Sequence, residues 1–458
     1  MSKLPLEGVR ILEASDALAL PHATHILGDM GAEIILVEHA GRPNMFRFIG
    51  PFPDNEPQEG SWNRSGSFNQ WNRNKLSLTL DLNYPKAKDI FKALVEVSDV
   101  VAENFTSRVM KNFGLDYPEL KKVKEDLIML SNTGYGHSGP WRSYVGMAQV
   151  MEAATTAHVT GWPDRGPGKA GQSIMDIVCS FNMAAAILVA LHYRRRTGKG
   201  QWIDHSMLQA CVPTLGSALM DAAMNGRDQF RMGNRDQYIA PQGCYRCQGE
   251  ESWVVISVTS DAEWQQLCRI IEQPGLSQDP RFADAITRWK HQDELDSILE
   301  KWTSQRGRFD IMELLQKAGV PSGAVLSNKD LFLNSHLKAR GYFELATHDP
   351  DTGVGTRPYA GRPYKFSETP GRIRRATSPL GYDNERILGG LLGMDVEEIK
   401  ALEEEHIIGH YAWDIASQSG EKVYKPAGQR DPAVPLEKLQ ERGTIQGFDR
   451  NYKEILGI

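Results

Sequence analysis

The chain opens with strand-like and helix-like segments in alternation, and this pattern constrains its fold more than any other feature. Short apolar runs that are typical of buried strands lie at 8–14, 33–38, 99–103 and 128–131. Helical patterns separate these runs at 20–30, 85–97 and 108–113. Strands that alternate with helices form a parallel sheet with helices on its faces. The sequence therefore predicts an α/β fold built on a parallel sheet.

The strongest helical pattern of the chain covers Asp176–Arg196. Its middle, Met183–Leu191, is apolar on every side, which predicts a helix that is buried all round. The sequence pattern then changes and indicates a β-hairpin around Gly249 and several amphipathic helices. The first of these helices begins with a capping box of Ser260 and Glu263. These segments predict a second, smaller α+β domain. The expected division is a large domain over 1–224, the small domain over 225–330, a return to the large domain over 331–411 and a C-terminal extension over 412–458.

Composition and charge exclude several classes of function. The 458 residues carry a formal net charge of −6, which does not suit a protein that coats nucleic acid or an anionic membrane. Five cysteines do not suit a disulfide framework and fit a reducing compartment. The longest apolar run, Met183–Leu191, is far shorter than the roughly 20 residues that span a bilayer. Because the N-terminus has no apolar core of signal-peptide type, we expect a cytoplasmic protein with no nucleic-acid or membrane partner.

Three local patterns bear on chemistry. The turn after the first strand, Ser15–Pro21, has no glycine, which argues against a dinucleotide-binding motif. Cys244 and Cys247 form a single pair without further ligands, so no metal site is expected. Asp176 stands at the start of its helix, where it is either an N-cap or a carboxylate nucleophile. The local pattern leaves both interpretations open.

A set of motifs in a fixed order gives the chain a resemblance to a known family. In chain order the motifs are Gly8–Glu13, Gly28–Glu33, Asn72–Lys75, Glu103–Phe105, Gly134–Gly136, Ser138–Pro140, Arg196–Gln201, Asp279–Phe282, Ala318–Pro321 and Ala339–Gly341. Together with Asp176 and the apolar helix that follows it, they resemble the class III CoA-transferases, also called the CaiB/BaiF family. The resemblance extends over nearly the whole chain, and the combination of motifs carries it.

The resemblance implies a fold and a reaction. The fold is a Rossmann-like large domain formed by both ends of the chain, with a smaller inserted domain, in an interlocked dimer. In the reaction, the carboxylate of Asp176 attacks an acyl-CoA donor such as succinyl-CoA, and CoA passes to a carboxylic acid through mixed anhydrides and an aspartyl-CoA thioester. CoA is thus a substrate, and no permanently bound cofactor is expected. A homodimer is expected, with a heteromer of related subunits as the alternative.

The resemblance also implies a set of CoA-binding residues. The positions that match family contacts are Leu18, Ala19, His39, Asn72, Arg73, Asn74, Lys75, Asn104 and Phe105. Among them Lys75 is the expected phosphate partner. Asn104 and Phe105 follow a strand end, where ligands of parallel sheets gather.

Several positions depart from the family pattern. His39 and Asn112 stand where some members have arginine, and Ala148 stands where many members have an acidic residue. Racemases of the same family, the first alternative function, need a histidine–aspartate stretch, but the matching residues here are Met147 and Ala148, which cannot carry a proton at neutral pH. The second alternative is a non-catalytic subunit of a hetero-oligomeric transferase, against which the presence of Asp176 argues.

The acceptor acid is not specified by any motif. Trp141, Met147, Met151 and Trp162 suggest an apolar surface near the site, which favours an aromatic or bulky dicarboxylic acid over oxalate. The same residues are equally well explained as core residues, since large apolar side chains are usually buried.

Overall fold

The chain, seen in a computed structural model, forms two compact units. The structure describes residues 3–58, 60–171, 173–418, 421–427 and 435–458, with the backbone alone for 415–418 and 421–426. The larger unit comprises Met1–Thr155, Gly171–Leu215 and Ser335–Ile458, and the smaller comprises Thr156–Ala170 and Gly216–Asn334. The smaller unit therefore extends beyond the expected 225–330 at both ends and includes an earlier segment that the sequence assigns to the large domain.

The larger unit is built on a parallel sheet of six strands. With strands and helices numbered separately in chain order, they are β1 (Arg10–Ala14), β2 (Glu33–Glu38), β3 (Lys75–Thr79), β4 (Val100–Glu103), β5 (Ile128–Thr133) and β6 (Gln201–Ser206). Their order is β3-β2-β1-β4-β5-β6, and every pairing is parallel. The predicted α/β fold with a parallel sheet is confirmed. Strands β3 and β6 carry no sequence-based prediction, because polar residues interrupt both.

Helices cover both faces of this sheet. The helices of the larger unit are α1 (Ala19–Asp29), α2 (Gly66–Trp71), α3 (Pro85–Glu96), α4 (Val109–Phe113), α5 (Tyr117–Val123), α6 (Ala148–Ala154), α7 (Ile174–Thr197), α8 (Met207–Cys211), α15 (Ser335–Ala339), α16 (Asn384–Leu388), α17 (Val396–Glu404), α18 (Leu436–Glu441) and α19 (Tyr452–Leu456). Successive strand residues point to opposite faces, so Leu12 joins a core that includes Phe91 of α3, whereas Ile11 joins one that includes Met183 of α7. The sheet therefore has two separate apolar cores.

Helix α7 differs from its prediction. Met183, Ile187 and Ala190 are buried in the same core as α1, but Leu188 is 43% exposed and Val189 is 67% exposed. The prediction of burial on all sides is wrong for the single chain, because the helix has one buried face and one exposed apolar face. Among the described residues α7 is the one helix whose length and composition would allow it to cross a membrane. Its packing against the sheet is that of a core helix.

The C-terminal part of the larger unit adds two hairpins. Strands β10 (Phe343–Thr347) and β11 (Thr356–Ala360) pair antiparallel, as do β12 (Trp413–Gln418) and β13 (Glu421–Pro426). The described parts of the expected extension 412–458 belong to this unit.

The smaller unit is the predicted mixture of helices and an antiparallel sheet. Its elements are α9 (Ser217–Asn225), β7 (Gln242–Arg246), β8 (Trp253–Ser257), α10 (Asp261–Ile270), α11 (Ala285–Lys290), α12 (Gln292–Thr303), α13 (Arg308–Lys317), β9 (Ser322–Ala324) and α14 (Asn328–Leu333). Strand β8 pairs with β7 and with β9. At the start of α10, Ser260 accepts a hydrogen bond from the Glu263 N–H, but the Glu263 carboxylate accepts one from the Thr259 N–H instead of completing the predicted box.

Candidate active site

A cavity of about 340 Å³ lies at the carboxyl ends of β1, β4 and β5. The strand order reverses between β1 and β4, and such a switch point is where open α/β sheets bind their ligands. Asp16 follows β1 and Asn104 follows β4, and two hydrogen bonds join them: the Asp16 N–H donates to Asn104 Oδ1 at 2.9 Å and Asn104 Nδ2 donates to the Asp16 carbonyl at 2.7 Å. These bonds hold the two loops together at the mouth of the crevice.

Asp176, in the first turn of α7, lines this cavity. Ser173 is the N-cap residue of α7, and its side chain makes no capping hydrogen bond, so Asp176 is a first-turn residue and not the cap. Ser173 and Ala17, which both line the cavity, have left-handed backbone angles, φ 51° and φ 58°. Non-glycine residues in this region carry strain of about 1–3 kcal/mol and cluster at functional sites.

The electrostatic surroundings of Asp176 make its carboxylate unusually basic. The side chain is 9% exposed, and burial raises its pKa, with a further contribution from the negative charge of Glu152. The pKa rises to about 6 from the usual 3.8. The N-terminal end of a helix favours a carboxylate, so the group remains ionised at neutral pH while it gains basicity. A carboxylate of this kind is suited to nucleophilic attack.

Two glycines, Gly134 and Gly146, line this cavity. A Cβ atom on Gly134 would lie 2.8 Å from the Gly146 Cα, and no side chain fits at that distance. At the end of β4, the buried Glu103 carboxylate accepts a hydrogen bond from the Phe105 N–H at 2.9 Å. Burial raises the pKa of Glu103 to about 7. The Glu103 side chain thus holds the loop after β4, and the close approach of Gly134 and Gly146 holds the loop after β5.

The structure brings four of the predicted CoA-binding residues to this region. Ala19, Asn104 and Phe105 line the same cavity as Asp176. Leu18 lines a neighbouring chamber of about 1150 Å³, which shares Phe46 and Ser173 with the cavity.

The predicted group Asn72–Lys75 lies elsewhere, buried at the start of the edge strand β3. The Lys75 ammonium is 2.8 Å from the Glu13 carboxylate, and its side chain is 2% exposed. Arg73 pairs with Asp29 at 3.0 Å. Asn72 accepts a hydrogen bond from Lys75, and Asn74 donates one to Asp29. That Lys75 meets a phosphate stays a prediction, and in this conformation its partner is a buried glutamate.

His39 also lies away from Asp176. Its Nδ1 accepts hydrogen bonds from the Gly41 and Arg42 N–H groups, and its Nε2 is 3.2 Å from Asp81. Its contact with CoA remains a prediction. Met147 and Ala148, the positions that argue against racemase chemistry, do line the cavity.

The four residues that suggest an apolar surface near the site lie in different parts of the structure. Met147 lines the cavity, whereas Met151 is fully buried in the core of the larger unit. Trp141 is 48% exposed and Trp162 is 44% exposed. The core explanation therefore holds for Met151 alone.

Three residues of the site have no sequence-based prediction. Asp16 and Phe46 lie in loops without a recognisable pattern, and Glu152 acts on Asp176 from a different helix, α6. A weak signal exists for Glu152, since Ala148 and Glu152 are spaced by four residues and so share one face of a helix.

Comparison with known proteins identifies the family of the chain. A family profile described as CoA-transferase family III matches residues 6–384. The chain belongs to that family. It is 32% identical over 409 residues to a succinyl-CoA--D-citramalate CoA-transferase of Chloroflexus aurantiacus, an alignment that covers 88% of this chain and 98% of the relative. It is 30% identical to a succinate--glutarate CoA-transferase of Agrobacterium fabrum, with 85% and 96% covered.

A solved structure shows the same fold. A CaiB/BaiF family protein from Brucella suis superposes with a TM-score of 0.76 at 31% identity, covering 85% of this chain and 100% of that one. The transferase is therefore an enzyme that transfers coenzyme A, and an acyl-CoA thioester is its substrate. The resemblance drawn from the motifs is confirmed.

Proposed function

We propose that this enzyme moves CoA from an acyl-CoA donor, such as succinyl-CoA, to a carboxylic acid through covalent intermediates on Asp176. The observation that carries the proposal is the buried carboxyl group of Asp176 at the N-terminal end of α7, in the cavity at the switch point of the sheet. Relatives named for transfer from succinyl-CoA to citramalate, mesaconate or malate support it.

In the first half of the reaction, an Asp176 oxygen attacks the thioester carbonyl of the donor and the C–S bond breaks. The products are a mixed anhydride on Asp176 and CoA thiolate. The thiolate then attacks the aspartyl carbonyl, which releases the donor acid as its carboxylate and leaves an aspartyl-CoA thioester. One difficult exchange is thereby divided into two easier steps.

In the second half the same steps run in reverse with the acceptor acid. The acceptor carboxylate attacks the aspartyl thioester, CoA thiolate leaves, and the thiolate attacks the acyl carbonyl of the new anhydride. The products are the new acyl-CoA and free Asp176 carboxylate. No proton is gained or lost over the cycle, so the site needs no general acid, which agrees with the neutral side chains of Met147 and Ala148.

The basicity of Asp176 supports this role. Its raised pKa of about 6 leaves the group ionised at neutral pH and makes it more basic than an exposed aspartate. The Asp16–Asn104 pair keeps the switch-point loops in place around it. Leu18, Ala19, Asn104 and Phe105 are the proposed contacts for the CoA thioester, and we retain His39 and Asn72–Lys75 as weaker candidates because of their position and internal pairing.

The experiment is to trap the intermediate. The enzyme is incubated with succinyl-CoA, quenched, digested and examined by mass spectrometry for CoA mass on the peptide that contains Asp176. Hydroxylamine should convert the adduct to a hydroxamate. Asp176→Asn should give no adduct, whereas Asp89→Asn, an exposed aspartate on α3, should behave like the wild type. A wild-type enzyme that transfers CoA without forming this adduct would falsify the covalent mechanism.

The quaternary structure and the location of the enzyme are part of the same proposal. We infer a cytoplasmic homodimer in which partner chains interlock. The exposed apolar face of α7, with Phe181, Leu188 and Val189, is a surface that a partner would cover. A heteromer is the alternative, since relatives include separate alpha and beta subunits of a succinyl-CoA--L-malate CoA-transferase. Mass photometry of the purified chain tests whether it dimerises alone.

A further inference from the structure

The mechanism proposed for Asp176 leaves one buried amide in the wall of the cavity without a role. Asn132 is the penultimate residue of β5; it lines the cavity and is 2% exposed. Side chains of a strand point alternately to its two faces, so Asn132 shares a face with Ile128 and Leu130, which pack in the core with α7. The amide therefore lies on the face of the sheet that carries α7, the helix of Asp176.

The neighbouring strand holds one end of this amide. Asn132 lies opposite His205 of β6 in the parallel register, and Asn132 Oδ1 is 2.8 Å from His205 Nδ1. Burial lowers the pKa of His205 to about 4, against the opposing effect of Asp204, so the imidazole is neutral at neutral pH and carries one proton. An amide oxygen only accepts hydrogen bonds, so this proton lies on Nδ1 and is donated to Oδ1. The buried Nε2 has no hydrogen-bond partner among the described residues, which agrees with this tautomer.

The other end of the amide is left to the cavity. No residue that the structure describes accepts a hydrogen bond from Asn132 Nδ2. Asn104, the other asparagine of the cavity, differs, because both of its amide atoms are bonded to Asp16. Asn132 thus keeps N–H donors for a ligand. Since a buried donor without a partner costs free energy, a ligand oxygen that accepts from it is stabilised.

We propose that Asn132 is a catalytic residue, which donates an N–H hydrogen bond to the acyl carbonyl oxygen of the substrate, and that His205 is the positioning residue that orients the amide. The inference rests on the proposed function for the attack by Asp176. When the Asp176 oxygen attacks the thioester carbon, the π electron pair of the carbonyl moves onto the carbonyl oxygen. The pair returns as the C–S bond breaks and CoA leaves as its thiolate. Asn132 keeps its proton throughout.

A neutral donor suits this site. A cation at the same place would pair with the Asp176 carboxylate and lower its pKa, and with it the basicity that the attack uses. The Asn132 amide has no proton that titrates near neutral pH, so it stabilises developing negative charge and leaves Asp176 ionised and basic. Loss of one donor to such an oxyanion commonly lowers kcat by about 10²–10³-fold.

The first test separates catalysis from binding. The reaction is the exchange of CoA between succinyl-CoA and isotopically labelled succinate, which requires no other acceptor. Asn132→Ala should lower kcat by about 10²–10³-fold and leave the KM for succinyl-CoA within about threefold of the wild type, because the hydrogen bond strengthens in the transition state. Asn328→Ala, at the exposed start of α14, is the matched control and should change neither value.

Variants of His205 test the positioning role. His205→Leu has no donor and frees the amide to turn, so kcat should fall on the order of tenfold, the value of one ordinary hydrogen bond. His205→Asn, whose amide nitrogen can stand where Nδ1 stands, should retain most of kcat. Added to Asn132→Ala, the His205→Leu substitution should lower kcat no further, since it acts only through the amide.

A measurement without turnover tests the contact itself. Asp176→Ala cannot form the anhydride, so it holds succinyl-CoA unreacted. With ¹³C at the thioester carbonyl, infrared difference spectroscopy records the C=O stretching band of the bound substrate. A hydrogen bond from Asn132 weakens the C=O bond, so the band should lie at a lower frequency in Asp176→Ala than in the double variant with Asn132→Ala.

The outcomes separate this inference from the proposed function. If no adduct forms on Asp176, but Asn132→Ala loses both kcat and the band shift, the amide assignment stands and the covalent mechanism is wrong. If the adduct forms and Asn132→Ala exchanges CoA at the wild-type rate, or its loss appears in KM alone, the amide assignment is wrong. A higher pKa for the acidic limb of kcat/KM in Asn132→Ala, with the band unmoved, would show that the amide serves the Asp176 carboxylate and would also overturn it.

Discussion

Replacing the ionised Asp176 by a neutral residue of the same shape should stabilise the protein. In the folded chain the carboxyl group is buried near Glu152, and its pKa is raised from 3.8 to about 6. A group whose pKa is higher in the folded state than in the unfolded state costs stability whenever it is charged. Asp176→Asn removes that charge and retains the volume of the side chain. We therefore expect a gain in stability at neutral and higher pH.

The magnitude follows from the pKa difference. A shift of about two units at about 1.36 kcal/mol per unit gives a penalty of roughly 3 kcal/mol at pH 8. The substitution also removes the favourable interaction between the carboxylate and the helix end, which lowers the gain in stability by about 0.3–1 kcal/mol. The net gain is then about 2 kcal/mol. With roughly 2.1 cal/mol/K of unfolding entropy per residue, this corresponds to a rise in Tm of about 2 °C for a chain of 458 residues.

The pH dependence distinguishes this effect from packing. Below pH 3.8 the carboxyl group is protonated in both states, so the gain disappears there, and it reaches its full value above pH 6. At pH 5 it should be about half of its value at pH 8. Scanning calorimetry of the wild type, Asp176→Asn and the surface control Asp89→Asn at these two pH values measures it. The control should stay within about 0.5 kcal/mol of the wild type.

One result would refute the reasoning. If Asp176→Asn lowers Tm at pH 8, or raises it equally at pH 5 and pH 8, then the charge of Asp176 is not destabilising in the folded chain. The basic carboxylate inferred above would then lack its physical cause.

Three further predictions concern other parts of the site. Glu152→Gln should lower the pKa of Asp176 below about 6, and with it the acidic limb of the kcat/KM–pH profile. The pKa should remain above the usual 3.8, because burial is the larger cause of its rise. A pH–rate series measures the change. Lys75→Met should destabilise the enzyme by about 3–5 kcal/mol, since it leaves the buried Glu13 charge unpaired, and denaturant unfolding measures it. Gly134→Ala would place a Cβ atom 2.8 Å from the Gly146 Cα, so one of the two loops should shift. We expect a loss of about 1–3 kcal/mol of stability and of most of the transfer activity, which Tm and kcat/KM measure.

The interior of the sheet could be predicted from the sequence to within one or two residues. Strand β2 was expected at 33–38 and lies at Glu33–Glu38, and α3 begins at Pro85 as expected. These elements have continuous apolar runs or strong end signals, so local pattern is sufficient. The edge strand β6 escaped prediction, because its sequence alternates between exposed and half-buried positions without a clean apolar face.

The exposed face of α7 could not be predicted from the sequence for a different reason. Hydrophobic periodicity reports which residues avoid water, but it does not say whether the same chain covers them. The pattern in Met183–Leu191 predicts burial within one chain, but the structure leaves Leu188 and Val189 of that run exposed. Apolar residues of this kind are also what an interface between chains contains, so sequence alone could not separate the two cases.

The motifs that carried the family resemblance are less separate than they appear along the chain. Glu13 ends the first motif, and its buried carboxylate accepts hydrogen bonds from Ser15 and Thr24 as well as from Lys75 of the third motif. The second and third motifs meet in the same way, through Asp29 and Arg73.

These buried pairs give a physical account of the motif residues that does not require contact with CoA. They join the end of β1, helix α1 and the start of β3, and thereby fix the turn between β1 and α1 that carries Asp16, Leu18 and Ala19 at the site. A motif match cannot distinguish a residue that touches a ligand from one that holds the ligand-binding turn, because both are required for the same activity. Burial and ion pairing can distinguish the two, and for Lys75 they favour the role of holding the ligand-binding turn.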